Sequence, residues 1–219
     1  MRRDDEILIH IKQNYDILIE DVENGIVSCK MVAPEVLEDC MKNSLRRGSV
    51  SSGILPAGTF SFTSGEGFRK VAIEFPERYI DLVYEKTRYE HFPLPRLVFG
   101  FRIAMEQQRI ESVSLGVTAP GRLTPNTKMY TYPFSNVSGF RLCCGGNRLP
   151  RIKSLHQLAG VMYFIMSMPN NNDHYRRDRT RLDLELRHLL ETLKDKTPDY
   201  YYSDVLLENG KNLLDFINV

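Results

Sequence analysis

The sequence predicts an α+β fold, and three observations lead to it. Alternating apolar residues and turn signals indicate strands through most of the first 117 residues, interrupted by one helix. A loop rich in proline and glycine follows. From residue 154 onward apolar residues recur mainly at helical spacing. With no repeat or linker in between, we expect one domain over 1–219, made of an N-terminal hairpin, helix and loop (1–68), a core (69–168) and C-terminal helices (169–219).

Composition excludes several classes of protein. The net charge of +1 gives no reason to expect nucleic acid or a membrane as a partner, and no apolar run reaches the ~18 residues of a membrane span. The four cysteines contain no Cys-x-x-Cys, the five histidines are scattered, and no glycine-rich phosphate loop is present. We therefore expect a cytoplasmic protein with free thiols, no metal and no cofactor.

The N-terminal segment is predicted to form β structure over 5–32, with Asn24-Gly25 as the turn of a hairpin, because this dipeptide suits a turn with positive φ. Cys29 is expected as a small core or edge residue of the returning strand. A helix should begin at Pro34 and end at 46–48, with Cys40 packed against the sheet.

The middle of the chain predicts an antiparallel meander. Residues 48–67 favour a loop with one short strand near Ile54 or Phe60. Four strands should follow, at 70–75, 79–84, 97–105 and 110–117, with Pro93-Leu94-Pro95 as a break. The loops between these strands carry no clustered chemistry.

The C-terminal part predicts helices. Ser154 and Gln157 form a capping-box pattern before an apolar helix that ends near residue 168. An amphipathic helix should span 175–196, and 213–217 should form a short helix or a docked tail. Tyrosines 200–202 favour a packing cluster over a partner surface.

The loop over 130–147 carries the most chemistry. Cys143 and Cys144 lie side by side among glycines, with Asn136 a few residues before them. Two interpretations stay open from these residues alone: an inert turn, as for most cysteines, or a thiol nucleophile with an amide donor nearby.

This loop, placed between a meander and a helix, resembles the ubiquitin-conjugating enzymes, whose motif is His-Pro-Asn followed by a thioester-forming cysteine. More specifically it is similar to the prokaryotic ubiquitin-conjugating-enzyme-like family D, the PRTRC system protein B-like family. The likeness covers residues 93–168 well and the rest loosely. The matching residues are Met129-Tyr130, Pro133, Asn136-Val137, Gly139, Arg141-Leu142-Cys143, Gly145, Leu149-Pro150-Arg151 and Ser154, with Pro93 to Phe99 as a proline-marked strand entry.

The resemblance implies a ubiquitin-conjugating-enzyme-like (UBC-like) fold with an N-terminal hairpin and helix extension. It implies a bacterial conjugating-like enzyme, an acyl transferase that receives a ubiquitin-like protein from an activating enzyme and passes it to a target amine. Cys143 would be the nucleophile and Asn136 the oxyanion donor or loop support. A JAB-type deconjugating protease from the same operon is a further implied partner. The residues implied to support the loop are Pro133, Gly139, Arg141, Cys144 and Gly145.

The sequence departs from the family pattern in ways that leave alternatives. Phe134-Ser135 stand where the family has its histidine, and the segment from Asn136 to Cys143 is one residue shorter than usual. The Leu-Cys step favours Cys143, whereas spacing alone would favour Cys144. A catalytically inactive docking protein of the same pathway is the main alternative function. A thiol hydrolase that uses a distant histidine, such as His91 or His174, is the third.

Overall fold

The computed structural model describes residues 6–13, 16–23, 26–45 and 51–219. By contacts the chain forms two compact units, residues 1–51 and 52–219. Throughout the described part, no helix combines the length and apolar character that crossing a membrane requires.

The first unit is a three-stranded antiparallel sheet followed by a helix; the β structure, the hairpin and the helix were predicted, whereas the pairing of a third strand was not. Strands β1 (Glu6–Ile11), β2 (Ile17–Glu23) and β3 (Ile26–Val32) pair in the order β1-β2-β3, and α1 spans Pro34–Leu45. Glu23 pairs with Ile26, as a two-residue connection requires. The connection itself, Asn24-Gly25, and the predicted helix end at 46–48 lie outside the described residues.

The two cysteines of this unit are both exposed. Cys29 lies on the edge strand β3, as expected. The prediction for Cys40 was wrong: it is exposed, and between 34 and 41 only Leu37 of α1 is even half-buried. The apolar residues of α1 recur at helical spacing, but they form no buried face. Little packs against those side chains of this helix that the structure describes.

The second unit is built on an antiparallel sheet. Its strands, in chain order, are β4 (Thr59–Gly65), β5 (Phe68–Phe75), β6 (Arg78–Tyr84), β7 (Thr87–Leu94), β8 (Leu97–Ala104), β9 (Arg109–Thr118), β10 (Lys128–Tyr130), β11 (Val137–Ser138), β12 (Arg141–Leu142) and β13 (Glu208–Asn212). The main sheet has the order β11-β12-β9-β8-β5-β4, with β10 also on β9 and β13 on β10.

The meander was predicted with one wrong pairing. The strand expected at 79–84 exists as β6, but it pairs with β7 in a separate two-stranded sheet, and β5 pairs directly with β8. Strand β7 was missed because Pro93 was interpreted as a break. Proline is tolerated on a strand whose neighbour lies on one side only, and Pro93 lies opposite Tyr79 in this hairpin.

The main sheet is covered on both faces. Alternate residues of β5, β8 and β9, including Ile73, Phe99 and Leu115, enter a large core shared with β6, β7 and the helices that follow the loop. The opposite face carries a smaller cluster of Ala72, Val98, Met129, Leu213 and Phe216. Helix α4 (Leu213–Ile217), predicted from sequence, supplies the last two.

The helical part was predicted in part. A 3-10 turn (Leu155–Gln157) leads into α2 (Leu158–Ser167), and the Gln157 side chain accepts from the backbone N–H of Ser154 at 3.3 Å, as a capping box predicts. The helix predicted over 175–196 was wrong in extent. Only Leu186–Leu193 forms α3, and a 3-10 turn (Arg177–Arg179) precedes it. The helix is short because its four buried leucines span only about two turns.

The tyrosines at 200–202 form a packing cluster, as predicted. Tyr201 begins a π-helical turn (Tyr201–Val205), is fully buried, and donates to the carbonyl of Pro93 at 2.9 Å. The hydroxyl of Tyr202 accepts from the N–H of Arg96 at 2.9 Å.

Candidate functional site

The candidate site is built on the short hairpin of β11 and β12. Val137 pairs with Leu142 and Ser138 with Arg141, so the turn contains only two residues. The next step of the ladder joins the two residues of interest: the N–H of Cys143 donates to the carbonyl of Asn136 at 2.7 Å. The hairpin therefore places Asn136 opposite Cys143 rather than Cys144.

The sheet holds this hairpin in register. Arg141 pairs with Ser114 of β9, and the N–H of Leu115 donates to the carbonyl of Phe140 at 2.7 Å. At the turn, Gly139 has φ of 58°, a conformation that glycine adopts without penalty. The ring of Phe140 stands edge-on to Phe216 at 5.1 Å, so this aromatic residue anchors the hairpin tip.

Cys143 lies between two cavities of very different size. On one side is an open cleft of about 520 Å³, lined also by Glu111, Arg141, Gly145 and His174. On the other is a recess of about 30 Å³, large enough for an oxygen-sized group or a water molecule or two. The thiol is exposed, so a reagent can reach it.

The recess has uncharged polar groups on part of its wall. Its polar lining consists of Tyr132, Ser135, Asn136, Asn170 and Cys143. The rest of its wall is apolar and comes from β9, β12 and the C-terminal end of α2 with the residue after it. A group that entered it would be surrounded by few alternative hydrogen-bond partners, which strengthens each one that it makes.

Asn136 has an unusual backbone. Its φ is 64°, which asparagine tolerates better than most residues, and its N–H donates to the carbonyl of Asp173 at 2.8 Å. The residue is half-buried, and its side-chain amide has no hydrogen-bond partner among the residues that the structure describes. The amide is therefore available to a bound group.

The loop after α2 is hydrogen-bonded to Ser135, the residue before Asn136. Ser135 donates through Oγ to Oδ1 of Asn170 at 3.0 Å, and the N–H of Asn170 donates to the carbonyl of Val83 at 2.7 Å. The hydroxyl of Tyr84 reaches Oδ1 of Asn172 at 3.1 Å. These bonds connect the β6–β7 hairpin to the residue before Asn136. Ser135 is thus held in place through Asn170 and the hairpin of β6 and β7.

Phe134, the other residue of that segment, is fully buried. Its ring contacts an aromatic group of Phe92, Tyr132 and Tyr201, at centroid distances of 6.0, 5.5 and 6.2 Å. Pro133 beside it is buried as well. Phe134, between Pro133 and the Ser135-Asn136 pair, therefore serves as an anchor in the core.

Cys144 is in a different environment from Cys143. It is half-buried, lines the cleft but not the recess, and begins the turn that contains Gly145 and Gly146, closed by the N–H of Asn147 on its carbonyl at 2.8 Å. Burial, with a smaller contribution from the neighbouring thiol, raises the pKa of Cys144. Its thiolate is disfavoured, and this makes it the weaker candidate nucleophile.

The two histidines considered from sequence are in different places. His174 is exposed, lines the cleft beside Cys143 and has φ of 58°. His91 stacks on Tyr79 at 4.1 Å and lines neither of these two cavities. Within the described ranges no cluster of histidine, cysteine or acidic residues could hold a metal ion.

Sequence reasoning missed Tyr132 and Asn170 and gave His174 no structural role. The signal was the run Asn170-Asn171-Asn172-Asp173, which was interpreted only as the end of a helix. Side chains that a loop brings to a site from more than 25 residues away leave no spacing pattern to detect.

We compared the chain with protein-family models, with curated proteins and with solved structures, and no match was found in any of the three.

Proposed function

We propose that this protein is a bacterial ubiquitin-conjugating-like enzyme that carries a ubiquitin-like protein as a thioester on Cys143. One observation carries the proposal: the exposed Cys143 lines both an open cleft of about 520 Å³ and a recess of about 30 Å³ that Asn136, with its free side-chain amide, also lines. A thioester has these same two parts, an acyl chain and a carbonyl oxygen.

The order of elements supports the same proposal. The antiparallel strands β4, β5, β8 and β9 are followed by the Asn136–Cys143 hairpin and then by the apolar helix α2. This is the order expected of a UBC-like domain, with the β6–β7 hairpin inserted before the third strand.

In the loading step, the Cys143 thiolate attacks the thioester carbonyl that links the ubiquitin-like protein to its activating enzyme. The new C–S bond forms to Cys143, the old C–S bond breaks, and the donor cysteine leaves as a thiolate. In the transfer step, an amine nitrogen attacks the Cys143 thioester, the C–N bond forms, the C–S bond breaks, Cys143 leaves as a thiolate, and the proton lost by the nitrogen passes to that thiolate or to water. Both steps pass through a tetrahedral oxyanion, which the Asn136 amide would stabilise by about 3 kcal/mol.

The decisive experiment uses the full chain, a candidate ubiquitin-like protein and activating enzyme from neighbouring genes, and ATP. A non-reducing gel should show an adduct that disappears with thiol. Cys143→Ala should abolish the adduct, Cys143→Ser should convert it to a thiol-resistant ester, and Cys144→Ala should retain it. An adduct that survives Cys143→Ala but not Cys144→Ala would overturn the assignment.

Two alternative functions give different results in that assay. A non-catalytic docking protein would form a stable complex without a covalent band. A thiol hydrolase is favoured by one observation, that His174 lines the cleft with Cys143, and it would cleave the tail of the ubiquitin-like protein. His174→Gln distinguishes the hydrolase from the conjugating enzyme. A hydrolase would lose its activity, whereas a conjugating enzyme that receives an activated thioester would still form the thioester on Cys143.

A further inference from the structure

The recess beside Cys143 contains a second free donor besides Asn136. Of the side chains with oxygen or nitrogen that line it, Ser135 and Asn170 bond to each other at 3.0 Å. The hydroxyl of Tyr132 makes no hydrogen bond to any residue in the described part of the chain, although Tyr132 is only 5 % exposed. Among the described residues, the fully buried side-chain oxygens and nitrogens without a partner are those of Thr118 and Thr180, so the Tyr132 hydroxyl is not sealed off and a small group can reach it.

Packing does not account for the hydroxyl. The ring of Tyr132 stands edge-on to Phe134 at 5.5 Å, and a phenylalanine would make the same contact. What tyrosine adds is a hydroxyl on a residue that lines the 30 Å³ recess together with Cys143 and Asn136.

We propose that the Tyr132 hydroxyl is a catalytic hydrogen-bond donor that, together with the Asn136 amide, binds the oxyanion formed on an acyl group at Cys143. The acyl carbonyl oxygen enters the recess while the rest of the acyl chain stays in the cleft. The donated hydrogen bond strengthens as attack on the carbonyl carbon places negative charge on the oxygen, and it relaxes when the tetrahedral intermediate collapses and the bond to the leaving group breaks. No proton leaves the phenol in either step.

The chemistry of the phenol fits this role. Burial raises the pKa of Tyr132 well above its usual range. The hydroxyl therefore keeps its proton in the pH range in which cysteine thiols ordinarily ionise, and towards an anion it acts as a donor. Two donors at one oxygen are the usual construction of an oxyanion site.

This inference rests on the proposed function for its biological reaction, but its test needs no protein partner. The probe is p-nitrophenyl acetate, which acetylates a thiolate: the C–S bond forms, the ester C–O bond breaks, and p-nitrophenolate leaves after a tetrahedral oxyanion. Iodoacetamide alkylates the same thiolate by direct displacement of iodide, with no oxyanion. Both rates are read at Cys143 of the full chain by fragment mass spectrometry.

We expect Tyr132→Phe to slow acetylation of Cys143 by about 10-fold, a fraction of the 100-fold or more typical of enzyme oxyanion donors, and to leave alkylation within about twofold. Tyr130→Phe is the matched control, because Tyr130 is half-buried and lines neither cavity. It should change neither rate. Equal loss of both rates in Tyr132→Phe, or loss of neither, would overturn the proposal.

A second measurement needs no variant and covers the case in which Tyr132→Phe fails to fold. In the unmodified protein, the ratio of acetylation to alkylation should be at least about 10-fold higher at Cys143 than at the exposed Cys29. Equal ratios at the two thiols would mean that the recess stabilises no oxyanion. Because neither reagent involves a ubiquitin-like protein, a negative gel with a positive ester assay would reject the carrier and retain the donor.

Discussion

The bond between Ser135 and Asn170 gives the most quantitative prediction. We would replace Ser135 by alanine, Asn170 by leucine, and both together. The two side chains meet at 3.0 Å, and Ser135 is only 1 % exposed. The backbone bonds of Asn170, from its N–H to Val83 at 2.7 Å and from Glu85 to its carbonyl at 2.9 Å, remain in every variant.

The two single changes should differ in their cost. Asn170→Leu leaves the buried Ser135 hydroxyl without an acceptor, which costs about 1–3 kcal/mol, and it also removes a weak 3.3 Å bond to Val83. Ser135→Ala leaves Asn170 half-buried and open to the recess, so that water can reach its oxygen, and we expect about 1 kcal/mol. In the double variant no hydroxyl is left unpaired, so its cost should fall below the sum by about 1 kcal/mol or more.

The assay is urea unfolding of the four full-length proteins, followed by intrinsic tyrosine fluorescence and by circular dichroism. The coupling free energy comes from the four unfolding free energies. Additivity within about 0.3 kcal/mol, which is typical of residues that do not interact, would refute this account of the anchor. So would a larger cost for Ser135→Ala than for Asn170→Leu.

Three further predictions concern Cys144, Tyr201 and Gly139. Burial raises the pKa of Cys144, so its thiolate forms only at higher pH. When alkylation by iodoacetamide is followed against pH by mass spectrometry, the midpoint for Cys144 should lie above the usual range of cysteine thiols. A midpoint within or below that range would contradict the prediction. Tyr201→Phe should cost about 1–2 kcal/mol in urea, because the buried Pro93 carbonyl loses its donor, while Tyr200→Phe, at a half-buried ring, serves as the control with a change below about 0.5 kcal/mol. Gly139→Ala should lower the free energy of unfolding by about 1 kcal/mol because φ is 58°, and Gly139→Asn should lower it less. No atom lies within 4 Å of an added Cβ, so a loss above about 3 kcal/mol would contradict backbone strain as the cause.

The strands and the apolar helix could be predicted because their signals are local. The nearly continuous apolar run of β8, the alternation in β9 and the capping pattern at Ser154 need only the residues themselves. The pairing of β5 with β8 could not be predicted, since it depends on where the intervening hairpin goes. The exposure of Cys40 could not be predicted either, because it depends on what packs against α1.

The candidate site, too, could be predicted only where its signals are local in sequence. Asn136 and Cys143 are seven residues apart in sequence, and a motif can record that separation. The recess also requires Tyr132 and, from the loop after α2, Asn170. Only the folded structure shows that the Tyr132 hydroxyl has no partner among the described residues. A residue whose role depends on lacking a partner carries no signal in a single sequence.

The two-residue turn at Gly139-Phe140 has one more consequence, for how a nucleophile is selected. Cys143 and Cys144 are chemically the same side chain, and the turn length decides which of them faces Asn136. Sliding β12 by one position would bring Cys144 opposite Asn136 and leave a three-residue turn. Deleting one turn residue while the turn keeps two residues would likewise bring Cys144 opposite Asn136, so the length of the turn selects the reacting thiol without replacement of any residue of the site.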